Sequence, residues 1–346
     1  MLFDLKFYKR NNSTRLSFQQ AWLNLKKIYK KDKPSFEQDI NLNLQYDVMV
    51  VIPVYNSEKY LEKNLNSILN QKTEFKYNAV YVDDGSTDSS LEILKKYTNI
   101  PFIKVLTKKN GGVSSARNYA LRNINAKYVL FVDSDDYLSF DYIQKLLSKA
   151  IQNQYDLLQG SYINVDEQGI TSKINVGING YPWGKLISSR VFQNLCFPEN
   201  YIFEDTIINT ILIPSVKNAI CVNDAIYYYR DNQYGISNTN INKIESLDTI
   251  YMTYYCYIES FNRGFSISFE TFCQQVRINW LRIQSFSESI NESAFIIMCK
   301  LYDSYYKNMT NIDKNNKRLK NMNYVFKKKS FNSYILLMNY WYLFKD

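Results

Sequence analysis

The sequence predicts an α/β fold: a mainly parallel sheet with helices on both faces, followed by a helical carboxyl-terminal region. Three observations predict it. The runs Val48–Ile52, Ala79–Val82 and Tyr128–Val132 are short and continuously apolar, as strands buried on both faces are, and Phe102–Leu106 is apolar but for Lys104. Between them lie segments with helical apolar spacing, which implies parallel pairing through crossover helices. Finally, a polar cluster follows each run: Pro53–Asn56, Asp83-Asp84, Gly111-Gly112 and Asp133–Asp136. Ligands of parallel sheets lie beyond the carboxyl ends of the strands, so four clusters converge on one rim.

Each element has its own signal. In residues 1–46, Leu16, Trp22, Leu23, Leu25, Ile28 and Tyr29 form an apolar stripe backed by Lys26, Lys27, Lys30, Lys31 and Lys33, and Pro34 ends the helix. Such a basic helix either docks on the protein body or lies on an anionic membrane surface. The first strand stops at Pro53, and a helix from Glu58 to Asn70 sets Leu61, Leu65, Ile68 and Leu69 on one face. After the second strand, Ser86 or Thr87 is placed to cap a helix carrying Leu91, Ile93 and Leu94. After the third, Asn110-Gly111-Gly112 opens a helix containing Arg117 and Asn118. Beyond Asp156–Gly160, segments around Ile163 and Ile174 suggest an antiparallel extension, and residues 231–239 a loop over the site. From residue 240 the pattern turns helical, with stripes at Ile250, Tyr254, Tyr257, Ile258 and at Phe272, Val276, Trp280, Ile283. Asn308–Asn323 reads as a polar linker. Tyr334–Phe344, after Lys327-Lys328-Lys329, is apolar but shorter than a membrane span; it suits an interfacial helix, or docking on the body or on a second copy as a homo-oligomer. The expected divisions are a 1–46 extension, a 47–235 sheet domain and a 236–346 helical region.

Composition narrows the chemistry. With 346 residues, 46% of them hydrophobic, the chain can bury a sizeable core, and its net charge of +9 points to an anionic partner. Histidine is absent, which removes Ser-His-Asp and Cys-His catalysis and histidine-ligated zinc. Five scattered cysteines read as reduced, mostly buried thiols of a cytoplasmic protein. Neither a P-loop nor a Gly-x-Gly-x-x-Gly fingerprint occurs.

The polar clusters describe a ligand. Asp133, Asp135 and Asp136 crowd the end of one strand, where their repulsion raises their pKa values unless a cation such as Mg²⁺ or Mn²⁺ is present. Asp133 and Asp135, two positions apart, point to the same side in extended backbone. Alone, the cluster would read as an acidic loop capping a helix near Ser139. A carboxylate at Asp84 can accept an imide N–H of a base or a ribose hydroxyl. Gly111 and Gly112 let backbone approach a ring or diphosphate, and the Arg117 fork suits diphosphate or base oxygens.

Val-Ile-Pro-Val-Tyr-Asn (51–56), Val-Asp-Asp-Gly-Ser-Thr-Asp (82–88), Asn-Gly-Gly-Val-Ser-Ser-Ala-Arg-Asn (110–118) and Phe-Val-Asp-Ser-Asp-Asp (131–136) together resemble the family 2 glycosyltransferases, over roughly Asp47 to Arg230. The resemblance implies the GT-A fold and a metal-dependent, inverting transferase using a nucleotide-sugar, commonly a UDP-sugar. It implies that Pro53, Tyr55, Asn56, Asp83, Asp84, Gly111, Arg117, Asp133 and Ser134 hold the donor, and that Asp133 and Asp135 hold Mn²⁺ or Mg²⁺. It places Trp183, Lys185 and Glu204 beside the acceptor, a glycan or lipid-linked sugar of a bacterial surface polymer, and makes Asp205 the base. Ala225–Arg230 resembles the strand that closes the domain. No nucleic acid is expected as partner, and the location implied is the cytoplasm or the inner membrane face. Two other classes compete: a non-catalytic sugar-nucleotide-binding subunit, and a haloacid-dehalogenase-type phosphatase, whose Asp-x-Asp follows an earlier strand.

Overall fold

The structure, a computed structural model, describes residues 14–232, 243–308 and 316–341. The chain divides into two compact units. One runs from Pro34 through the last described residue before the 233–242 segment; the other joins the described residues up to Lys33 with those from Lys243 on.

The first unit is built on one eight-stranded sheet. Its elements are β1 (Asn41–Val54), α2 (Glu58–Leu69), β2 (Tyr77–Asp83), α3 (Ser90–Lys95), β3 (Ile103–Thr107), α4 (Val113–Leu121), β4 (Asn123–Phe131), β5 (Tyr137–Leu138), α5 (Tyr142–Asn153), β6 (Leu157–Val165), β7 (Lys185–Ser188) and β8 (Ala219–Arg230). The sheet order is β3-β2-β1-β4-β7-β6-β8-β5. From β3 to β4 all pairing is parallel, as the apolar runs predict. Beyond β4 the sheet is mixed: β7 pairs antiparallel with both β4 and β6, β8 runs parallel to β6, and β5 is antiparallel to β8. Val48, Val50 and Ile52 of β1 pack on Leu61, Leu65 and Ile68 of α2, in a core that also holds Leu146 and Leu147 of α5. Burying one such side chain contributes about 1.5–3 kcal/mol. The register sets Val54 beside Asp83 and Asp83 beside Thr107, so Tyr55, Asp84 and Lys108 leave the sheet at one level.

Several local expectations change. Neither Ser86 nor Thr87 caps α3; the cap position is Ser89, without a side-chain bond. Ser86 Oγ instead accepts from the Asn56 N–H at 3.1 Å, and the Thr87 N–H donates to Asn56 Oδ1 at 2.8 Å, so both serve the turn after β1. The extension around Ile163 and Ile174 reduces to two bridges, Tyr162 to Asn175 and Val165 to Ile170. Residues 34–46, expected with the amino-terminal extension, belong to the sheet unit, and 41–46 lengthen β1.

The second unit packs α1 (Phe18–Ile28) with α6 (Asp248–Asn262), α7 (Phe269–Ile283), α8 (Glu288–Lys307), α9 (Lys317–Lys327) and α10 (Phe331–Asn339). Ser17 and Gln20 form a reciprocal capping box at the start of α1. Helix α1 ends at Ile28, ahead of Pro34, and buries Ala21 and Leu25, while Trp22 packs against Tyr251, Tyr254 and Tyr255. The linker expected at 308–323 is helical from Lys317, capped by Asn316, whose side chain accepts from the Leu319 N–H. In α10, Phe331, Tyr334, Leu337 and Met338 are buried, with Tyr334 against Trp280, Phe295 and Phe326. These four side chains thus face protein, and residues 342–346 of the expected interfacial segment lie outside those described. Among the described residues no helix is long and apolar enough to cross a membrane. The expected loop over the site falls mostly on residues outside those described.

Candidate active site

The loop after β4 is held from below by β8 and from the side by α2. Asp136 is buried; its two carboxylate oxygens accept from Tyr227 Oη at 2.6 Å and from the Arg230 N–H at 2.7 Å. Burial, and then the charges of Asp135 and Asp133, push its carboxyl well above the usual range. Tyr227 Oη also accepts from the Asp133 N–H, and Asn64 Nδ2 donates to the carbonyls of Asp133 and Asp136. Asp136 therefore fastens the loop, while Asp133 and Asp135 stay partly exposed. Ser134 Oγ lies 2.7 Å from Ser57 Oγ, which ties the loop to the turn carrying Tyr55 and Asn56. Tyr55 is exposed, Pro53 is buried within β1, and Asn56 adopts a left-handed φ of 49° that its side-chain bonds to Thr87 stabilise.

Arg117 joins this loop to a distant segment. Its side chain is 3% exposed; Nη2 donates to Asp133 Oδ1 at 3.0 Å and Nη1 to Glu204 Oε1 at 2.8 Å. Burial works against the charge of the guanidinium, but the two carboxylates outweigh it and hold the pKa above its ordinary value. Phe197 lies 5.3 Å from the guanidinium, and Nε has no partner among the described residues. The next residue, Asn118, donates to the Phe197 carbonyl and to Glu199 and accepts from the Phe197 N–H. One turn of α4 thus fixes both ends of the 197–204 segment. Phe203 there has a φ of 63°, a strained conformation for an aromatic residue, placed just before Glu204 and Asp205. Asp205 is partly exposed, its carbonyl accepting from the Ile208 N–H as the chain enters a π-helical turn at Ile208–Leu212.

Asp84 is the hub of the third cluster. Its carboxylate accepts from Lys108 Nζ at 2.6 Å, from the Gly111 N–H at 3.0 Å and from the Gly112 N–H at 2.7 Å. It therefore pins the loop that opens α4. A side chain at Gly111 would meet Ser115 Oγ and Lys108 Nζ at 2.8 and 2.9 Å, and Gly112 has a φ of 85°. Asp83 is buried and accepts from the Ser86 N–H.

Residues 49–202 match the family model described as Glycosyl transferase family 2. The chain carries a domain of that family. Over 218 residues, 55% of this chain and 31% of the relative, it is 32% identical to the glycosyltransferase GlyA of Streptococcus pneumoniae serotype 4. Over 206 residues, 54% of this chain and 36% of the relative, it is 30% identical to poly(ribitol-phosphate) beta-N-acetylglucosaminyltransferase TarS of Staphylococcus aureus. The chain thus spans about a third of the length of these relatives. The crystal structure of S. aureus TarS 1–349 in complex with UDP-GlcNAc superposes with a TM-score of 0.63, over 86% of this chain and 91% of that one at 20% identity. The fold is GT-A, with a helical carboxyl-terminal region.

Within the family 2 domain the aromatic and basic segment is placed differently from expectation. Trp183 is 3% exposed, stacked between Tyr181 on one side and Tyr227 and Tyr229 on the other, so it cannot meet an acceptor. Tyr181, at the outer end of that pile, is 46% exposed. Lys185 is fully buried; its ammonium donates to Asn179 Oδ1 at 2.7 Å and to the Tyr181 carbonyl. Burial pushes its pKa well below the ordinary lysine value. It holds the turn that carries Tyr181 and does not face an acceptor itself. The sequence hid this because a lysine beside aromatic residues reads as exposed.

A divalent cation would have to be held here by few protein ligands. Among the described residues no three acidic, histidine or cysteine side chains gather as a metal group. Asp135, however, is raised above the usual carboxylate range by burial and then by the charge of Asp133, an electrostatic cost that a cation relieves. Two carboxylates with the remaining positions left to water and substrate phosphate suit a hard cation such as Mg²⁺. Asp133 and Asp135 fit the group. Sequence reasoning missed Lys108 and Asn232, whose Nδ2 donates to Asp135 Oδ2 at 2.9 Å. Lys108 follows its strand as Asp84 follows β2, which was the available signal.

Proposed function

We propose that this chain is a metal-dependent, inverting glycosyltransferase that moves a sugar from a UDP-sugar to an acceptor hydroxyl in the synthesis of a bacterial surface polymer. The observation that carries the reading is the Arg117 bridge, which sets the Asp133 carboxylate and the Glu204–Asp205 segment on one buried cation. The names of the relatives, one of them a poly(ribitol-phosphate) N-acetylglucosaminyltransferase, support the substrate class, as does a similar fold solved with UDP-GlcNAc.

Tyr55, Asn56 and the Asp84-pinned loop line the donor side, with Gly111 giving backbone access. Asp133 and Asp135 would hold the divalent cation, which supplies charge neutralisation for the leaving diphosphate when bound. Asp205 accepts the proton of the acceptor hydroxyl as its oxygen bonds to the anomeric carbon. The bond from that carbon to the diphosphate breaks in the same displacement, and its electron pair leaves with the diphosphate, so the anomeric configuration inverts. Glu204 orients this segment through Arg117. The acceptor is a glycan, wall polymer or lipid-linked sugar.

The test is release of UDP from UDP-GlcNAc and UDP-glucose with Mn²⁺ or Mg²⁺, with and without ribitol-phosphate polymer or lipid-linked sugar. Release that depends on the cation and vanishes in Asp135→Ala is expected. Absence of binding to any nucleotide-sugar would overturn the reading.

A further inference from the structure

We propose that Arg117 is a built-in competitor for the cation, and that Glu204 sets how strongly it competes. The inference rests on the proposed cation site. Asp133 Oδ1, an oxygen a cation would use, already accepts from Arg117 Nη2 at 3.0 Å. The other end of the fork is drawn away by Glu204 at 2.8 Å. Because the guanidinium is 3% exposed, water screens little of this balance. Phe197 lies 5.3 Å from the guanidinium, and the residue itself sits on α4.

The consequences have signs that a merely structural role would not produce. A cation entering at Asp133 meets a fixed positive charge that must give up its bond. Removing Arg117 takes away that competitor and frees Oδ1. Removing the charge of Glu204 leaves the whole guanidinium to Asp133 and makes it a stronger competitor. The buried bridge therefore keeps the bare site weak for cations and reserves tight binding for the state in which a diphosphate shares the ion. It also links the donor side to Asp205, because the arginine that yields at Asp133 is the one that positions the residue before the base. Arg117 acts here as a positioning residue.

The experiment measures Mn²⁺ affinity by calorimetry and by electron paramagnetic resonance in the full chain, with and without UDP. Arg117→Met should bind Mn²⁺ at least about tenfold more tightly than the parent when UDP is absent, and Glu204→Gln should bind it more weakly. UDP should narrow both differences. Thermal melts report whether each variant is folded; if Arg117→Met is not, Arg117→Lys, which reaches one carboxylate but not both, and Glu204→Gln carry the test. Unchanged or weaker Mn²⁺ binding in folded Arg117→Met, or unchanged binding in Glu204→Gln, overturns the proposal while leaving the cation site standing. Parent protein that binds no Mn²⁺ even with UDP overturns both.

Discussion

Replacing Lys185 by methionine tests how the buried ammonium supports the Asn179–Trp183 turn. Lys185 donates to Asn179 Oδ1 and to the Tyr181 carbonyl, and Asn179 Oδ1 keeps a second donor in the Tyr181 N–H. Each bond to a charged donor is worth about 1.5–3 kcal/mol, and part of that is offset by the charge no longer having to be desolvated. The net loss in Lys185→Met at neutral pH should be about 1–3 kcal/mol. The pH dependence is more telling. Burial sets the folded-state pKa well below 10.5. Between that lowered value and 10.5 the unfolded chain holds a proton that the folded chain has released, so stability rises with pH. Below the folded value the contribution stays at its minimum. Methionine does not titrate. The stability of the parent minus that of the variant should therefore grow across this window, by up to about 1.4 kcal/mol per pH unit. Urea titrations of both proteins from pH 6 to 10.5 measure it, and the subtraction removes the other titrating groups. A difference that stays flat or shrinks as pH rises would refute the reasoning.

Asp205→Asn should leave UDP binding intact while lowering transfer about 100-fold or more in single-turnover assays; parent-like transfer would move the base elsewhere, with Glu204 next. Trp183→Ala should cost about 3–5 kcal/mol in urea unfolding, because it empties a closed stack, whereas Tyr181→Ala should cost little stability and raise the KM for acceptor instead. Deleting residues 331–346 should lower the melting temperature by about 5 °C or more through loss of Phe331, Tyr334, Leu337 and Met338 from the core. If the truncated protein melts like the parent but no longer binds anionic vesicles, the terminal segment is a membrane element after all.

The parallel half of the fold was legible because the carboxyl-terminal stretches of β1, β2 and β4 are buried, and such strands write themselves as unbroken apolar runs. The mixed half was not. Strand β7 has four residues, Lys185–Ser188, and opens on a buried lysine, which no apolar period announces. At the site, the aspartates could be read as a group because they are adjacent in sequence. Their division of labour could not, since it depends on Tyr227 and Arg230 donating to Asp136, more than ninety residues away. The burial of Trp183 was hidden for the same reason, since Tyr227 and Tyr229 that cover it lie on a strand far along the chain. The helical start at Lys317 was hidden by lysine and asparagine, whose polarity suits a solvated helix face as well as a linker.

The pile of rings from Tyr227 through Trp183 to Tyr181 has a consequence for reach. Its inner member touches the Asp133 backbone and its outer member looks into solvent, with centroid steps of 4.7 and 5.3 Å between them. Rings stacked this closely cannot be shortened or stretched without emptying the core. Anything flat that settles on Tyr181 is therefore gauged from the Asp133 loop by a ruler of fixed length. If the proposed function holds and an acceptor rests there, a longer or shorter unit would be met by redrawing residues 166–181, with the sheet strands left as they are.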